Sequence, residues 1–222
     1  LRALKDFEKD YASDVKSPEG FEVVSVSPAR MVYPFSRPDE KSKKEIKIRA
    51  AKGEYESAQL LISAFGDRKD LSVTVSDLVN VKTGKPLSRK YISESRKMYG
   101  PVRVRFVDYY PLDRKPGDIY YPDPLMDRKV TTLPAGESLG VFLTFIIPES
   151  AEAGVYRGTV RCKTDSGEKT IPVELEVSDF TLPRNGMVGE AYTDIDFFDV
   201  ADNAYNTNAL FAFVRDMVEH GI

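Results

Sequence analysis

Val155-Tyr156-Arg157-Gly158-Thr159-Val160-Arg161-Cys162, followed downstream by Val173-Glu174-Leu175-Glu176-Val177, decides the fold. In the first run Tyr156, Val160 and Cys162 share one phase and the arginines take the other. In the second, Val173, Leu175 and Val177 alternate with two glutamates. Successive strand side chains point to opposite faces, so a period of two with charge on one phase describes a strand that is dry on one side and wet on the other. Asp165-Ser166-Gly167 lies between the runs and predicts a hairpin turn. Cys162, in phase with Tyr156 and Val160, is expected on the core face as a small buried hydrophobe. Gly154 and Gly158 bracket the strand's start, where glycine permits unusual dihedrals or a close backbone approach.

The same pattern recurs outward from this hairpin. Phe21–Val26 and Ala29–Tyr33 flank Ser27-Pro28, and Lys44–Ala50 puts Ile46 and Ile48 on one face. Glu54–Phe65 ends in Leu60-Leu61-Ile62; Leu71, Val73 and Val75 alternate with Ser and Thr; Val102, Val104 and Phe106 alternate with arginines. Leu139–Ile147 is apolar on both phases and is predicted to be a central strand. Many short alternating runs separated by Gly, Pro and Asp predict a mainly β chain, an antiparallel β-sandwich of immunoglobulin or jelly-roll type. Two long loops are expected, the mixed-charge tract Ser36–Lys44 and the Pro- and Tyr-rich stretch Tyr109–Pro134.

The ends read differently. Residues 1–16 are expected to form a short N-terminal helix and linker, with Leu4, Phe7 and Tyr11 on one face, broken by Ser17-Pro18-Glu19-Gly20. The sandwich then spans 17–184. In residues 185–222, Met187–Thr193 is a strand candidate, Asp194–Tyr205 an acidic loop, and Asn206–His220 a helix with apolar positions at Leu210, Phe211, Val214, Met217 and Val218. Asn206 suits the N-cap and Gly221 the C-terminal left-handed position. One strand, loop and helix cannot bury their own surfaces, so they are expected to be the first βα unit of a truncated (β/α)8 barrel. The opening Leu1-Arg2-Ala3-Leu4-Lys5 has no Met and no apolar leader core, and the chain stops one residue after a helix stop, which suggests an excised piece.

Composition narrows the function. The 222 residues carry 32 Lys and Arg against 35 Asp and Glu, a net charge of −3, so no basic field draws the chain to nucleic acid or anionic lipid. The longest apolar run, Leu139–Pro148, is far below the roughly 20 residues of a membrane helix. Neither a nucleic-acid partner nor a transmembrane segment is expected. No cofactor or metal is expected either: phosphate-loop, dinucleotide and calcium-loop patterns are missing, and His220, the one histidine, falls in the last helical turn, where a cation favours the dipole.

Four blocks carry a family resemblance: Gly53-Glu54-Tyr55-Glu56-Ser57 with Gln59; Pro122-Asp123-Pro124-Leu125; Ile147-Pro148-Glu149-Ser150-Ala151-Glu152-Ala153-Gly154-Val155-Tyr156-Arg157-Gly158-Thr159-Val160; and Val177-Ser178-Asp179-Phe180-Thr181-Leu182-Pro183. In this order they resemble the N-terminal β-sandwich of glycoside hydrolase family 123 and the related domain-of-unknown-function family 4091, over roughly residues 21–184. The resemblance implies a catalytic (β/α)8 barrel after the sandwich and removal of terminal β-linked N-acetylgalactosamine. It implies a substrate-assisted retaining mechanism in which the 2-acetamido oxygen attacks the anomeric carbon. The implied Asp–Glu pair would sit on a later barrel strand, beyond residue 222, so no catalytic residue is assigned here. It implies a glycan substrate met through the missing barrel, and a bacterial periplasmic, outer-surface or secreted setting.

The residues of the blocks also have structural readings: Glu54 and Gln59 are expected to satisfy buried backbone groups at a sheet edge, and Asp179 is expected to end the last strand, with Pro183 preventing further pairing. Candidate sugar contacts lie where the first barrel strand would end: Glu190, Tyr192, Asp194 and Asp196. Carboxylates there would bind hydroxyls and Tyr192 or Phe197 would stack on a sugar face; alternatively Asp194, Asp196 and Asp199 only solvate a loop or favour a helix start. The rival to the enzyme fragment is a stand-alone carbohydrate- or protein-binding sandwich module without catalysis, working through Tyr109–Pro134.

Overall fold

The computed structural model describes residues 20–88, 101–111, 120–182, 199–200 and 204–205. The predicted N-terminal helix, the strand at Met187–Thr193 and the helix at Asn206–His220 lie outside the described residues. The chain divides into two units, Leu1–Thr181 and Leu182–Ile222.

The first unit is all β among its described residues. Five strands, β1 (Phe21–Val26), β3 (Tyr55–Ala64), β9 (Ser138–Ile146), β6 (Val102–Pro111) and β7 (Tyr120–Met126), form one sheet in that order, every pair antiparallel. A second sheet runs β2 (Ile46–Lys52), β11 (Gly167–Thr181), β10 (Gly154–Thr164), β4 (Arg68–Val75), β8 (Thr131–Leu133), and β5 (Val79–Asn80) also pairs with β10. Inner-face residues from both sheets meet in one core: Phe21, Leu60, Ile62, Leu143 and Phe145 from the first, and Ile46, Leu71, Tyr156, Val160 and Leu175 from the second. Each fully buried apolar side chain contributes about 1.5–3 kcal/mol relative to exposure, so this shared interior is what binds the two layers.

The deciding hairpin forms as its pattern dictates. Tyr156, Val160 and Cys162 of β10 and Ile171, Val173, Leu175 and Val177 of β11 are buried, while Arg157 and Arg161 pair outside with Glu174 and Glu168. Thr164 pairs with Gly167 across the two-residue turn Asp165-Ser166, and Gly167 has φ +146°. Gly154 sits at φ +132°, where a side chain would be strained. A Cβ on Gly158 would lie 2.7 Å from Leu78 Cδ2 and 2.8 Å from the Asp77 carbonyl, the close approach that glycine allows.

Leu139–Ile147 supplies the middle strand of the five, β9, and its two apolar phases have two destinations. Leu139, Val141, Leu143 and Phe145 enter the shared core. The other face of the sheet is covered by the segment after β1: Val32 packs with Val24, Val26 and Leu61 in a second cluster, and a Cβ on Gly140 would meet Val107 at 2.8 Å and Val32 at 3.2 Å.

Four expectations need correction. The sheets are not purely antiparallel: β2 joins β11 parallel, with Ile46 opposite Val173 and Ala50 opposite Val177. Ala29–Tyr33 is no strand; it turns back over the sheet, with Arg30 N–H donating to the Ser27 carbonyl at 3.0 Å. The stretch Tyr109–Pro134 is not one loop, since it holds the end of β6 and all of β7 and β8; Pro122 and Pro124 are tolerated because β7 is an edge strand. Asp179 does not end the last strand, because β11 continues to Thr181, which pairs with Lys52 after an irregularity beyond Val177.

In the second unit Asp199–Val200 (β12) and Ala204–Tyr205 (β13) form a small antiparallel pair inside the stretch expected to be an acidic loop.

Candidate functional site

Three of the four sequence blocks meet in space at one pole of the first unit. The turn from β2 to β3 is made by Gly53 at φ +81°. Its N–H donates to the Ile147 carbonyl at 3.0 Å, and the Ile147 N–H donates to the Glu54 carbonyl at 2.9 Å. The Glu54 carboxylate accepts the Ala51 N–H at 2.6 Å, which is the backbone-satisfying role expected of it. A Cβ on Gly53 would sit 3.2 Å from Glu149 Cγ and 3.7 Å from the Thr181 methyl. Lys52 Nζ donates to Asp179 Oδ1 at 2.6 Å across 127 residues of sequence. The fourth block, Pro122-Asp123-Pro124-Leu125, makes the middle of β7 instead.

The charges at the pole are paired. The Lys52 side chain is only 19% exposed, and its ammonium, hydrogen-bonded to Asp179, holds that carboxyl below the ordinary carboxylate range. The other shifted carboxyls among the described residues move the same way: Asp39, through the Ser42 hydroxyl, and Glu152, through the Lys85 ammonium. A glycosidic general acid needs a carboxyl shifted upward, so none of these three has the required poise. Cys162 is buried, and burial pushes its thiol up to about 12, which removes it as a nucleophile at neutral pH.

A small pocket opens near the same end, lined by Lys85, Ser88, Ser150, Glu152 and Tyr156. Lys85 and Glu152 form an ion pair across it, which raises the lysine's pKa; the Tyr156 hydroxyl donates to the Glu152 carbonyl at 2.8 Å. Its volume of about 130 Å³ is roughly the share of four water molecules, well under the 300 Å³ or more typical of small-molecule sites. Among the described residues no three His, Cys, Asp or Glu side chains converge as metal ligands. No helix among them is long and apolar enough to cross a membrane.

The sugar-contact candidates Glu190, Tyr192, Asp194 and Asp196 lie outside the described residues, as does His220. One surface feature escaped sequence reasoning. Tyr33 and Phe35 stack with centroids 5.2 Å apart and planes 9° from parallel, and Phe35 is 56% exposed. The signal is the alternation of Met31, Tyr33 and Phe35, which runs two residues past the segment Ala29–Tyr33 expected as a strand.

The structure thus defines a class: a two-sheet β domain with a shared core and a polar pole where distant sequence blocks join. The model of the glycoside hydrolase 123 N-terminal domain matches residues 30–164, more than half of the chain, and the chain belongs to that family. In fold it is similar to a family 123 glycoside hydrolase from Clostridium perfringens that hydrolyses glycolipid glycans, with a TM-score of 0.59 and 14% identity over 73% of this chain. The likeness covers 28% of that enzyme, so the chain spans little more than a quarter of its length. Weaker likenesses are to a PapD-like domain of human CEP192 (TM-score 0.33, 14% identity, 71% of this chain and 99% of that one) and to the fimbrial subunit MyfA of Yersinia enterocolitica (0.34, 13%, 72% and 98%). No curated protein matches the chain.

Proposed function

We propose that this chain is the non-catalytic N-terminal part of a bacterial glycoside hydrolase that removes terminal β-linked N-acetylgalactosamine by substrate-assisted, retaining chemistry. The family match over residues 30–164 is the observation that carries this reading. The likeness to little more than a quarter of a family 123 enzyme supports a division of labour between this domain and another. In this reading residues 17–184 are a β-sandwich scaffold and 185–222 open a (β/α)8 barrel. Glu190, Tyr192, Asp194 and Asp196 touch the sugar, and the acid pair lies on a later barrel strand. The enzyme works in the periplasm, on the outer surface or in the medium, where glycans are met.

The test is release of aryl alcohol from an aryl β-N-acetylgalactosaminide by the 222-residue chain and by the full open reading frame that contains it. The chain is expected to be inert and the full frame active. Hydrolysis by the 222 residues alone, or an inert full frame on this and other aryl N-acetylhexosaminides, contradicts the reading.

A further inference from the structure

We propose that Met31, Tyr33 and Phe35 form a saccharide-binding ridge on the N-terminal domain. Met31 is 48% and Phe35 56% exposed. One face of Phe35 is taken by Tyr33, so its exposed area is the opposite face and the edge. The Tyr33 hydroxyl donates to Met31 Sδ at 3.3 Å, which joins the three side chains into one ridge and leaves the phenolic oxygen able to accept.

The loop that presents these side chains is held at many points. Gln59 Nε2 donates to the carbonyls of Ser27 and Arg30 at 3.0 and 2.7 Å. The Tyr109 hydroxyl donates to the Val32 carbonyl at 3.3 Å, and Ser138 N–H to the Pro34 carbonyl at 2.7 Å. The Ser138 hydroxyl donates to the Ser36 carbonyl at 2.7 Å, and Ser36 Oγ accepts the Tyr33 N–H at 2.9 Å. Val32 anchors the middle from below in its own apolar cluster. The rings are therefore presented already ordered, so a ligand loses little to loop freezing.

The size and chemistry of the ridge select the occupant. Three side chains fall far short of the roughly 800 Å² per partner of a stable protein interface. The flat, electron-rich face of an aromatic ring suits the partly positive C–H face of a pyranose ring. The choice of an acetamido sugar rests on the function proposed above; the ridge itself does not.

The test is amide chemical-shift mapping of the isotope-labelled 222-residue chain titrated with methyl β-N-acetylgalactosaminide, alongside the Phe35→Ala and Phe35→Trp variants. Saturable shifts centred on residues 31–37, at least tenfold weaker binding in Phe35→Ala and recovery in Phe35→Trp are expected. Phe35 is exposed, so both variants should keep the parent's urea midpoint. Absent shifts at 31–37, shifts elsewhere only, or binding that is unchanged in a folded Phe35→Ala overturn the proposal. If the full frame still hydrolyses the aryl glycoside while the shifts are absent, only the ridge fails. If shifts appear while the frame is inert, only the assigned reaction fails.

Discussion

The Gln59 side chain, 3% exposed in the middle of β3, donates to the backbone carbonyl of Arg30 at 2.7 Å and so pins the loop that crosses the outer face of its own sheet. The same amide nitrogen serves the Ser27 carbonyl. Replacing it with an apolar side chain of similar size leaves both carbonyls without that donor, at about 1–3 kcal/mol. Gln59→Leu should therefore lower the urea midpoint and speed hydrogen exchange of the amides at 31–37. An unchanged midpoint would show that the amide is not holding the loop.

Gly158 admits no side chain without displacing its neighbours. The Asp77 carbonyl and Ser76 Oγ lie 2.8 and 2.9 Å from where its Cβ would be, and one of these atoms is backbone. Gly158→Val should destabilise the chain by about 2–3 kcal/mol, in the range of overpacked cores. Gly84, whose Cβ would meet nothing within 4 Å, is the control for general loss of glycine. Its left-handed φ of +70° makes Asn the substitution to compare. Equal effects at the two positions would rule out the steric account.

Alkaline pH should loosen the fold through Cys162. Burial pushes its thiol up to about 12 in the native chain from an ordinary value of 9.0. Between these values the unfolded thiol loses its proton while the native one keeps it. The native state then binds more protons, and stability falls as pH rises, by a limit of about 1.4 kcal/mol per pH unit for one group. Tyr109, raised chiefly by burial, adds the same sign above pH 10. Urea midpoints measured from pH 8 to 11 should fall, and fall less steeply in Cys162→Ala. Identical slopes in the two proteins would contradict the assignment.

Among the described residues β7 is the end strand of its sheet, and it carries two prolines. Pro122 and Pro124 remove two backbone donors from β7, on either side of Asp123, where the ladder to β6 shifts register between Val107 and Tyr109. The double variant Pro122→Val, Pro124→Val restores two donors and should promote self-association, read as a faster-sedimenting species at high concentration. A strictly unchanged sedimentation profile would mean that the prolines do not block the edge.

Sequence made the strands legible wherever burial is one-sided or complete. The β10–β11 hairpin, the doubly apolar β9, the glycines at 154 and 158 and the backbone duty of Glu54 all follow from side-chain phase or chemistry acting locally, whereas Gln59, expected at a sheet edge, serves carbonyls 29 and 32 residues away from inside the sheet. Pairing partners are another matter. The parallel contact between β2 and β11 joins residues 127 apart, as in Ile46 with Val173, and no local period encodes it. Pro122 and Pro124 concealed β7 because proline argues against a strand unless its edge position is known. The ridge was hidden for the opposite reason: Met31, Tyr33 and Phe35 alternate like a strand while Ser27-Pro28 and the Ser36 hydroxyl turn them into a loop.

The central claim is that this domain supports the reaction without taking part in it. The direct measurement is kcat of the full open reading frame on an aryl β-N-acetylgalactosaminide, with Glu149→Gln, Glu152→Gln and Asp179→Asn each introduced singly. All three carboxylates belong to the sequence blocks that meet near the pole, and Glu152 and Asp179 are held ionised by lysines. The account predicts kcat within about threefold of the parent for each, since no acid–base step, worth about 10²–10⁴-fold, is removed. A hundredfold loss of kcat in any one of them, with the fold retained, would place catalysis in the sandwich and contradict it.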